Sequence, residues 1–461
     1  MSKNDKLKCF KAYDVRGQLG GELNEEIAYR IGRAIAQSLK AKTVALGFDA
    51  RATSPSLAEA VASGVCHSGA DVLDIGLAGT EEIYSAVSAF KADAGIAVTA
   101  SHNPIDYNGM KIVKKQSQPL SDQEFLNIKH IAEETKFICS NSSGLVKNKA
   151  RSARRVYVDK ILSFVNLQSL KPLKIVINSG NGAAGPVIDA LNHKLKQSGV
   201  DTDFVYLHHK PDSSFPNGIP NPLLEENRGA TAEVVVRERA DFGVAFDGDF
   251  DRCFLFDHRG NFIPGEYVIG LLSEVFLSRE KGAKIAHDPR VIWNTIDVVA
   301  KCDGQAVLSK TGHAFVKATM RKHQAIYGGE MSAHHYFRDF EYCDSGMVPW
   351  FMIWQLLSES KSKLSDLIYK RINLFPSSGE LNFTVTNPAK CLDMVRDSFA
   401  DDFSSIEELD GLSLSFENWR FNLRKSNTEP LVRLNIETRG DQSLLEEKKE
   451  ELKTLIKLFA T

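Results

Sequence analysis

The feature that most constrains this chain is a repeated alternation of helix-period segments with short apolar runs. Glu26 to Lys40 carries apolar residues at helical spacing, Thr43 to Asp49 is a short apolar strand, and Ser54 opens a second helix with Pro55 in its first turn. Gly95 to Thr99 is a buried-strand run that ends in a polar loop. That order predicts helices layered on a mostly parallel sheet, because parallel neighbours need a crossover and apolar faces need cover. A second block has strands at 173–177, 204–207 and 242–246, and a third runs from near Phe254 through a helix at 266–278 to about Arg371. The tail differs. Leu412–Phe416 and Leu431–Thr438 read as antiparallel strands flanking a loop, and 442–459 as an amphipathic helix. The expected fold class is therefore α/β, with three similar mixed α/β domains followed by a small α+β domain. The expected boundaries are 1–150, 151–253, 254–371 and 372–461. Residues 140–155, polar and basic, read as a linker or domain boundary.

Composition narrows the function classes. The 461 residues are 43% hydrophobic and 25% charged, enough apolar material for several cores, and the net charge of -2 argues against a nucleic-acid partner. The seven cysteines are scattered with no CxxC pair, which fits a reducing, cytoplasmic setting better than a disulfide framework. No signal-peptide core and no run of 18 apolar residues occurs, so no membrane partner is expected.

Five segments could carry chemistry. Gly180-Asn-Gly182-Ala-Ala-Gly185 matches the dinucleotide fingerprint and follows a strand, but the next strand ends in His208 and His209 where that fingerprint wants an acid, and a tight strand-to-helix turn explains the run as well. Asp247-Gly-Asp249-Phe-Asp251-Arg252 is more specific. Three carboxylates at alternate positions after an apolar strand would share one face and repel unless a hard divalent cation, Mg²⁺ foremost, neutralises them. Arg252 and His258 stand where an EF-hand needs Gly and Glu. Thr99-Ala-Ser101-His102-Asn103-Pro104 sits at a strand's carboxyl end, where Ser101 could be a nucleophile with His102 or Lys111 moving its proton, or merely part of a polar turn. The segment from Gly328 to His335 includes Glu330, Ser332 and His334, a set suited to sugar hydroxyls. Arg424, Ser426, Asn427 and Thr428 suit a phosphate dianion. Either of these last two could also be an ordinary turn.

In this order, the last four segments resemble the α-D-phosphohexomutase family along the whole chain. Lys11-Ala-Tyr13-Asp-Val-Arg16-Gly17 is similar to the family's opening motif, and the details look closest to the bacterial enzymes of capsule, colanic acid and lipopolysaccharide synthesis. The resemblance implies four domains around a central cleft, a phosphorylated Ser101 that joins Asp247, Asp249 and Asp251 as a Mg²⁺ ligand, and a hexose 1,6-bisphosphate that turns over before returning a phosphate. It implies interconversion of mannose 6-phosphate and mannose 1-phosphate for GDP-mannose synthesis. The alternatives are turnover of glucose phosphates, alone or in addition, and a sugar-phosphate-binding protein without turnover, against which the intact nucleophile and three carboxylates argue. Arg16 and Arg252 would assist charge neutralisation, Lys111 or His313 would take the acceptor proton, and Tyr13, Lys310, Glu330, Ser332, His334 and the Arg424 loop would bind substrate. Two positions depart from the family pattern. Phe250 stands where metal loops commonly have a small residue, and alternation predicts that its ring points away from the metal. Ala333 stands where sugar loops often have Gly, which matters only if that position needs a positive φ.

Overall fold

The computed structural model describes residues 6–400, 402–426 and 431–459. The chain gathers into two compact units, Met1–Phe262 with Asp339–Lys361, and Ile263–Arg338 with Ser362–Thr461. Each is taken in turn.

In the first unit, the first sheet orders its main strands Tyr107–Lys114, Ala94–Val98, Thr43–Phe48, Asp71–Leu77. Thr43–Phe48 is parallel to both its neighbours, while Tyr107–Lys114 returns antiparallel to Ala94–Val98. Helices Glu25–Ser38 and Ser54–His67 start where local chemistry allows, at the Asn24 side chain that caps Ile27 N–H and at Pro55. They press together so closely that a Cβ on Gly64 would lie 2.1 Å from the Tyr29 carbonyl oxygen. Ile31, Ile35, Val61 and Val65 from this pair join Val44 and Ile96 of the sheet in one buried core. The second sheet has the order Cys253–Asp257, Phe242–Phe246, Lys174–Asn178, Asp203–Leu207, with the same pattern of parallel and antiparallel pairs. Helix Met347–Glu359 covers its edge strand by stacking Trp350 and Trp354 edge-on against Phe204.

The second unit repeats the design once more: His335–Phe337, Tyr327–Gly329, Lys284–His287, Gln305–Leu308. In all three blocks the spatial order is fourth, third, first, second strand. Every block therefore has one short loop that leaves the carboxyl end of a central parallel strand and returns antiparallel. Those loops are residues 99–106, 247–252 and 330–334, so three of the motif segments occupy the same topological place. The unit ends in an antiparallel sheet ordered Leu381–Thr384, Leu431–Thr438, Trp419–Lys425, Leu412–Ser415, Ser405–Glu407, packed by helices Pro388–Ser398 and Gln442–Lys457 around Phe421, Leu434, Leu452 and Ile456. Three mixed α/β domains and a C-terminal α+β domain are thus present. Among the described residues no helix is long and apolar enough to cross a membrane.

Two local expectations are corrected. Residues 140–155 are not simply a linker, since Val146–Asn148 adds an edge strand beside Asp71–Leu77 and a helix starts at Ala150. Their polar look is that of a strand whose side chains are all exposed and of a helix's outer face. Leu412–Ser415 and Leu431–Thr438 do not flank one loop, because strand Trp419–Lys425 lies between them and pairs with both. Arg424 is consequently on a strand near its end.

Candidate active site

In the first unit, Ser101 sits just past strand Ala94–Val98, buried, with φ +48°. An L residue is strained there, and the surroundings hold it. Ser101 N–H donates to Thr99 Oγ1 at 2.8 Å, and Thr99 in turn donates to buried Asp49 at 2.7 Å. Arg51 donates to the carbonyl oxygens of Ser101, Asn103, Pro104 and Tyr107 at 2.9, 2.5, 2.8 and 3.0 Å, gripping the whole loop from below. Arg16 adds contacts to the Ala100 carbonyl at 2.7 Å and Asn103 Oδ1 at 2.5 Å. Tyr13, by contrast, is 40% exposed.

Ser101 Oγ donates to Asp247 Oδ2 at 2.8 Å and lies 3.0 Å from His102 Nδ1. Asp247, Asp249 and Asp251 are buried, and one oxygen from each falls within 4.8 Å of the others. The convergence does not come from strand alternation as expected. Residues 247–252 form a tight turn in which Phe250 N–H donates to the Asp247 carbonyl at 3.1 Å and Phe250 takes φ +47°. The turn aims the carboxylates inward and the Phe250 ring toward Gly79, where a Cβ would lie 2.2 Å from the ring. The glycine run supports this turn from behind. Ala183 N–H donates to the Gly248 carbonyl at 3.1 Å, and a Cβ on Gly182 would lie 2.6 Å from that same oxygen. Packing thus accounts for Gly182.

Arg252 neutralises Asp247 through Nε at 2.9 Å and Nη2 at 2.7 Å, and Nη2 also donates to His102 Nδ1 at 2.5 Å. With that lone pair engaged, His102 is no free base for Ser101, and crowding by protein with the charges of Arg252 and Arg16 holds its pKa well below the ordinary value. Burial raises the Asp247 carboxyl, opposed by Arg252 and reinforced by Asp251 and Asp249. Lys111 Nζ lies 2.7 Å from Asp249 and 2.5 Å from Asp251. Burial alone would lower its pKa, but these carboxylates outweigh it and hold the ammonium charged. Lys111 thus sits as a counter-charge on the two carboxylates that would hold a cation. The site still has three carboxylates against Lys111 and Arg252, and Asp249 Oδ1 is buried without a hydrogen-bond partner. A hard cation fits both the charge excess and that orphaned oxygen. Thr80, which donates to Asp249 Oδ2 at 2.5 Å, was not legible as a site residue.

In the second unit, Glu330 opens the 330–334 loop, buried, accepting from Gly312 N–H at 2.7 Å and Tyr336 OH at 2.5 Å. Ser332 Oγ and His334 Nδ1 are 3.3 Å apart, and His334 Nδ1 is 3.9 Å from Glu330. Lys310 lies in the segment that delivers Gly312, and His313 begins helix His313–His323. Ala333 does adopt a positive φ, +67°. Asp288 and Arg290, which sequence reasoning missed, support this loop. Asp288 accepts from Met331 N–H at 3.0 Å, and Arg290 lies 3.5 Å from Ser332 Oγ and 3.7 Å from Glu330. A signal existed, for Asp-x-Arg follows the first strand of two blocks, as Asp49-Ala-Arg51 and as Asp288-Pro-Arg290. Arg424 donates to Glu380 at 2.8 Å, with Ser426 just beyond the strand's end; Asn427 and Thr428 lie outside the described residues.

Comparison with known proteins agrees with this architecture. Sequence models of phosphoglucomutase/phosphomannomutase α/β/α domains I, II and III match residues 7–138, 155–260 and 264–375, and the model of the C-terminal domain matches 380–455. The chain belongs to the phosphoglucomutase/phosphomannomutase family. A phosphomannomutase of Salmonella montevideo is 53% identical over 98% of this chain and 99% of its own length. A protein of Xanthomonas campestris named as phosphohexose mutases is 49% identical over 98% of this chain and 99% of its own. The crystal structure of a family member from Burkholderia thailandensis, 30% identical, superposes with a TM-score of 0.86, covering 98% of this chain and 97% of that one.

Proposed function

We propose that this chain is a phosphomannomutase that interconverts mannose 6-phosphate and mannose 1-phosphate through a phosphoserine at Ser101 and a hexose 1,6-bisphosphate, and so supplies GDP-mannose synthesis. The observation that carries the chemistry is the strained, buried Ser101 with its hydroxyl 2.8 Å from Asp247 in a cluster of three carboxylates. The choice of sugar rests on the Salmonella phosphomannomutase.

Phosphoryl transfer needs positioning and charge neutralisation more than covalent ingenuity. Asp247, Asp249 and Asp251, with an oxygen of phosphorylated Ser101, would hold Mg²⁺, which when bound draws charge from the transferring phosphoryl group. Arg51 and Arg16 fix the serine loop, so that the Ser101 Oγ–phosphorus bond meets the acceptor in one geometry. Arg252 balances Asp247, and Lys111 balances Asp249 and Asp251. As the sugar hydroxyl bonds to phosphorus and the Ser101 bond breaks, the hydroxyl proton must leave. Lys111, once Asp249 and Asp251 are taken over by Mg²⁺, or His313 would take it, since the Nδ1 of His102 is engaged by Arg252. Glu330, its carboxylate oriented by Gly312 and Tyr336, accepts from sugar hydroxyls together with Ser332 and His334. Tyr13 and Lys310 add substrate contacts. Arg424, Ser426, Asn427 and Thr428 grip the phosphate that is not reacting.

The Xanthomonas relative, named for phosphohexoses, favours a second reading in which glucose phosphates are also turned over. Both readings are tested together. Purified protein should convert mannose 1-phosphate with Mg²⁺ and a trace of hexose 1,6-bisphosphate, and its kcat/KM for glucose 1-phosphate decides the sugar. Intact mass should show one phosphate that is absent from Ser101→Ala, with turnover nearly abolished. Full activity in Ser101→Ala would overturn the phosphoserine.

A further inference from the structure

Arg424 and Arg433 face each other in register across the antiparallel pair Trp419–Lys425 and Leu431–Thr438. Like charges directly opposite on a sheet repel. A carboxylate from outside the pair holds them together. Glu380, just before strand Leu381–Thr384, accepts from Arg424 Nη2 at 2.8 Å on Oε2 and from Arg433 Nη1 at 3.2 Å on Oε1. Arg290 Nη1 approaches the same carboxylate at 3.5 Å. Arg290 has its own counter-ion in Asp288, at 3.0 Å from Nε and 2.5 Å from Nη2. Among the described residues Arg424 and Arg433 share Glu380 alone, so two guanidinium charges meet one carboxylate there. Glu380 takes one terminal nitrogen from each, and the Nε of each arginine is buried without a hydrogen-bond partner.

We propose that Glu380 is a positioning residue, an internal counter-anion that gathers Arg424 and Arg433 into a two-guanidinium cradle for the phosphate monoester of the substrate. Through Arg290 it also ties that cradle to Glu330 and Ser332, which hold the sugar. The inference rests on the reading of the Arg424 segment as a phosphate grip, and it adds Arg433, which lies outside the motif, to that grip. The physical reason is preorganisation. A guanidinium already oriented by one edge loses less freedom when its other donors meet phosphate oxygens.

The test uses the full-length protein with mannose 6-phosphate, saturating Mg²⁺ and saturating hexose 1,6-bisphosphate, and inorganic phosphate as competitive inhibitor. Glu380→Gln should raise both KM and the phosphate inhibition constant about ten-fold, the scale of a charge-assisted contact, while kcat stays within about two-fold, as for lost binding rather than lost chemistry. Glu380→Asp, which keeps the charge, should recover most of the affinity. Tighter phosphate binding in Glu380→Gln would make Glu380 a competitor and overturn the proposal. So would unchanged KM and inhibition constant with only a lower melting temperature, the mark of a scaffold residue. Arg424→Ala separates the two failures. If it weakens phosphate binding and Glu380→Gln does not, the grip stands and only the role of Glu380 falls; if it binds phosphate like the wild type, the grip itself falls and Glu380 with it.

Discussion

Each of the three αβ functional loops contains one residue other than glycine in the left-handed backbone region: Ser101 at φ +48°, Phe250 at +47° and Ala333 at +67°. Such a conformation costs an L residue roughly 1–2 kcal/mol, and it persists where neighbours over-determine it. At Ser101 the strain delivers the hydroxyl to Asp247. At Phe250 a fully buried ring offsets it. Ala333 has only a methyl group, so little compensates. Replacing it by Gly relieves the strain but frees the unfolded chain, an opposing effect of roughly 0.5–1 kcal/mol. Ala333→Gly should therefore stabilise the protein by up to about 1 kcal/mol, read as a higher denaturant midpoint with unchanged slope, and turnover should survive. Ala333→Val should do the reverse. A clear loss of stability in Ala333→Gly would show that this loop does not need its left-handed turn.

At the scale of elements, the sequence showed the strands and helices that have strong periodicity, and it placed four motif segments because each concentrates its chemistry in a few consecutive residues. It did not show what aims them. Arg51 reaches the serine loop from some 50 positions away, Thr80 reaches Asp249 across 169, and Gly182 abuts Gly248 across the sheet. Contacts of that separation leave no local pattern, except where topology repeats: the Asp-x-Arg pair after the first strand supports the functional loop of the same block in both places. Strand Trp419–Lys425 was missed because its buried polar residues, Arg420 and Asn422, break the apolar run that marks a strand. The support role of the glycine run is testable. A methyl group on Gly182 meets the Gly248 carbonyl at 2.6 Å, where backbone on both sides leaves little room to give. Gly182→Ala should cost about 1–3 kcal/mol of stability by overpacking and shift the Mg²⁺ activation curve to higher concentration, although the residue touches neither substrate nor carboxylate. An unshifted Mg²⁺ curve would separate this turn from the metal loop.

At the scale of the whole molecule, the domain pattern was visible because alternation repeats three times, whereas the charge economy was not, because buried acids and bases find each other only in three dimensions. Two kinds of acid, buried or half-buried, contribute to how the second unit responds to pH. Asp288 and Glu380 would be raised by burial, but Arg290, joined at Glu380 by Arg424 and Arg433, brings both below their ordinary values, so they favour the folded state above the carboxylate range and cease to as pH falls through it. Glu266 behaves oppositely. It is the second residue of helix Gly265–Arg279, 2% exposed, and burial pushes its carboxyl from 4.5 up to about 7, with Ser377 opposing and Asp288 reinforcing. A raised folded-state value means that the folded protein holds the proton more tightly than the unfolded chain. Its contribution is fully present below about pH 4.5 and is lost as pH rises through about 7. The loss is bounded at about 3 kcal/mol by that shift. Glu266→Gln keeps the shape and removes the titration. Thermal or denaturant unfolding of both proteins between pH 4.5 and 8 should give a difference that grows in favour of the glutamine variant as pH rises and levels off above about 7. A difference that stays constant across that range would mean that Glu266 keeps an ordinary carboxyl despite its burial.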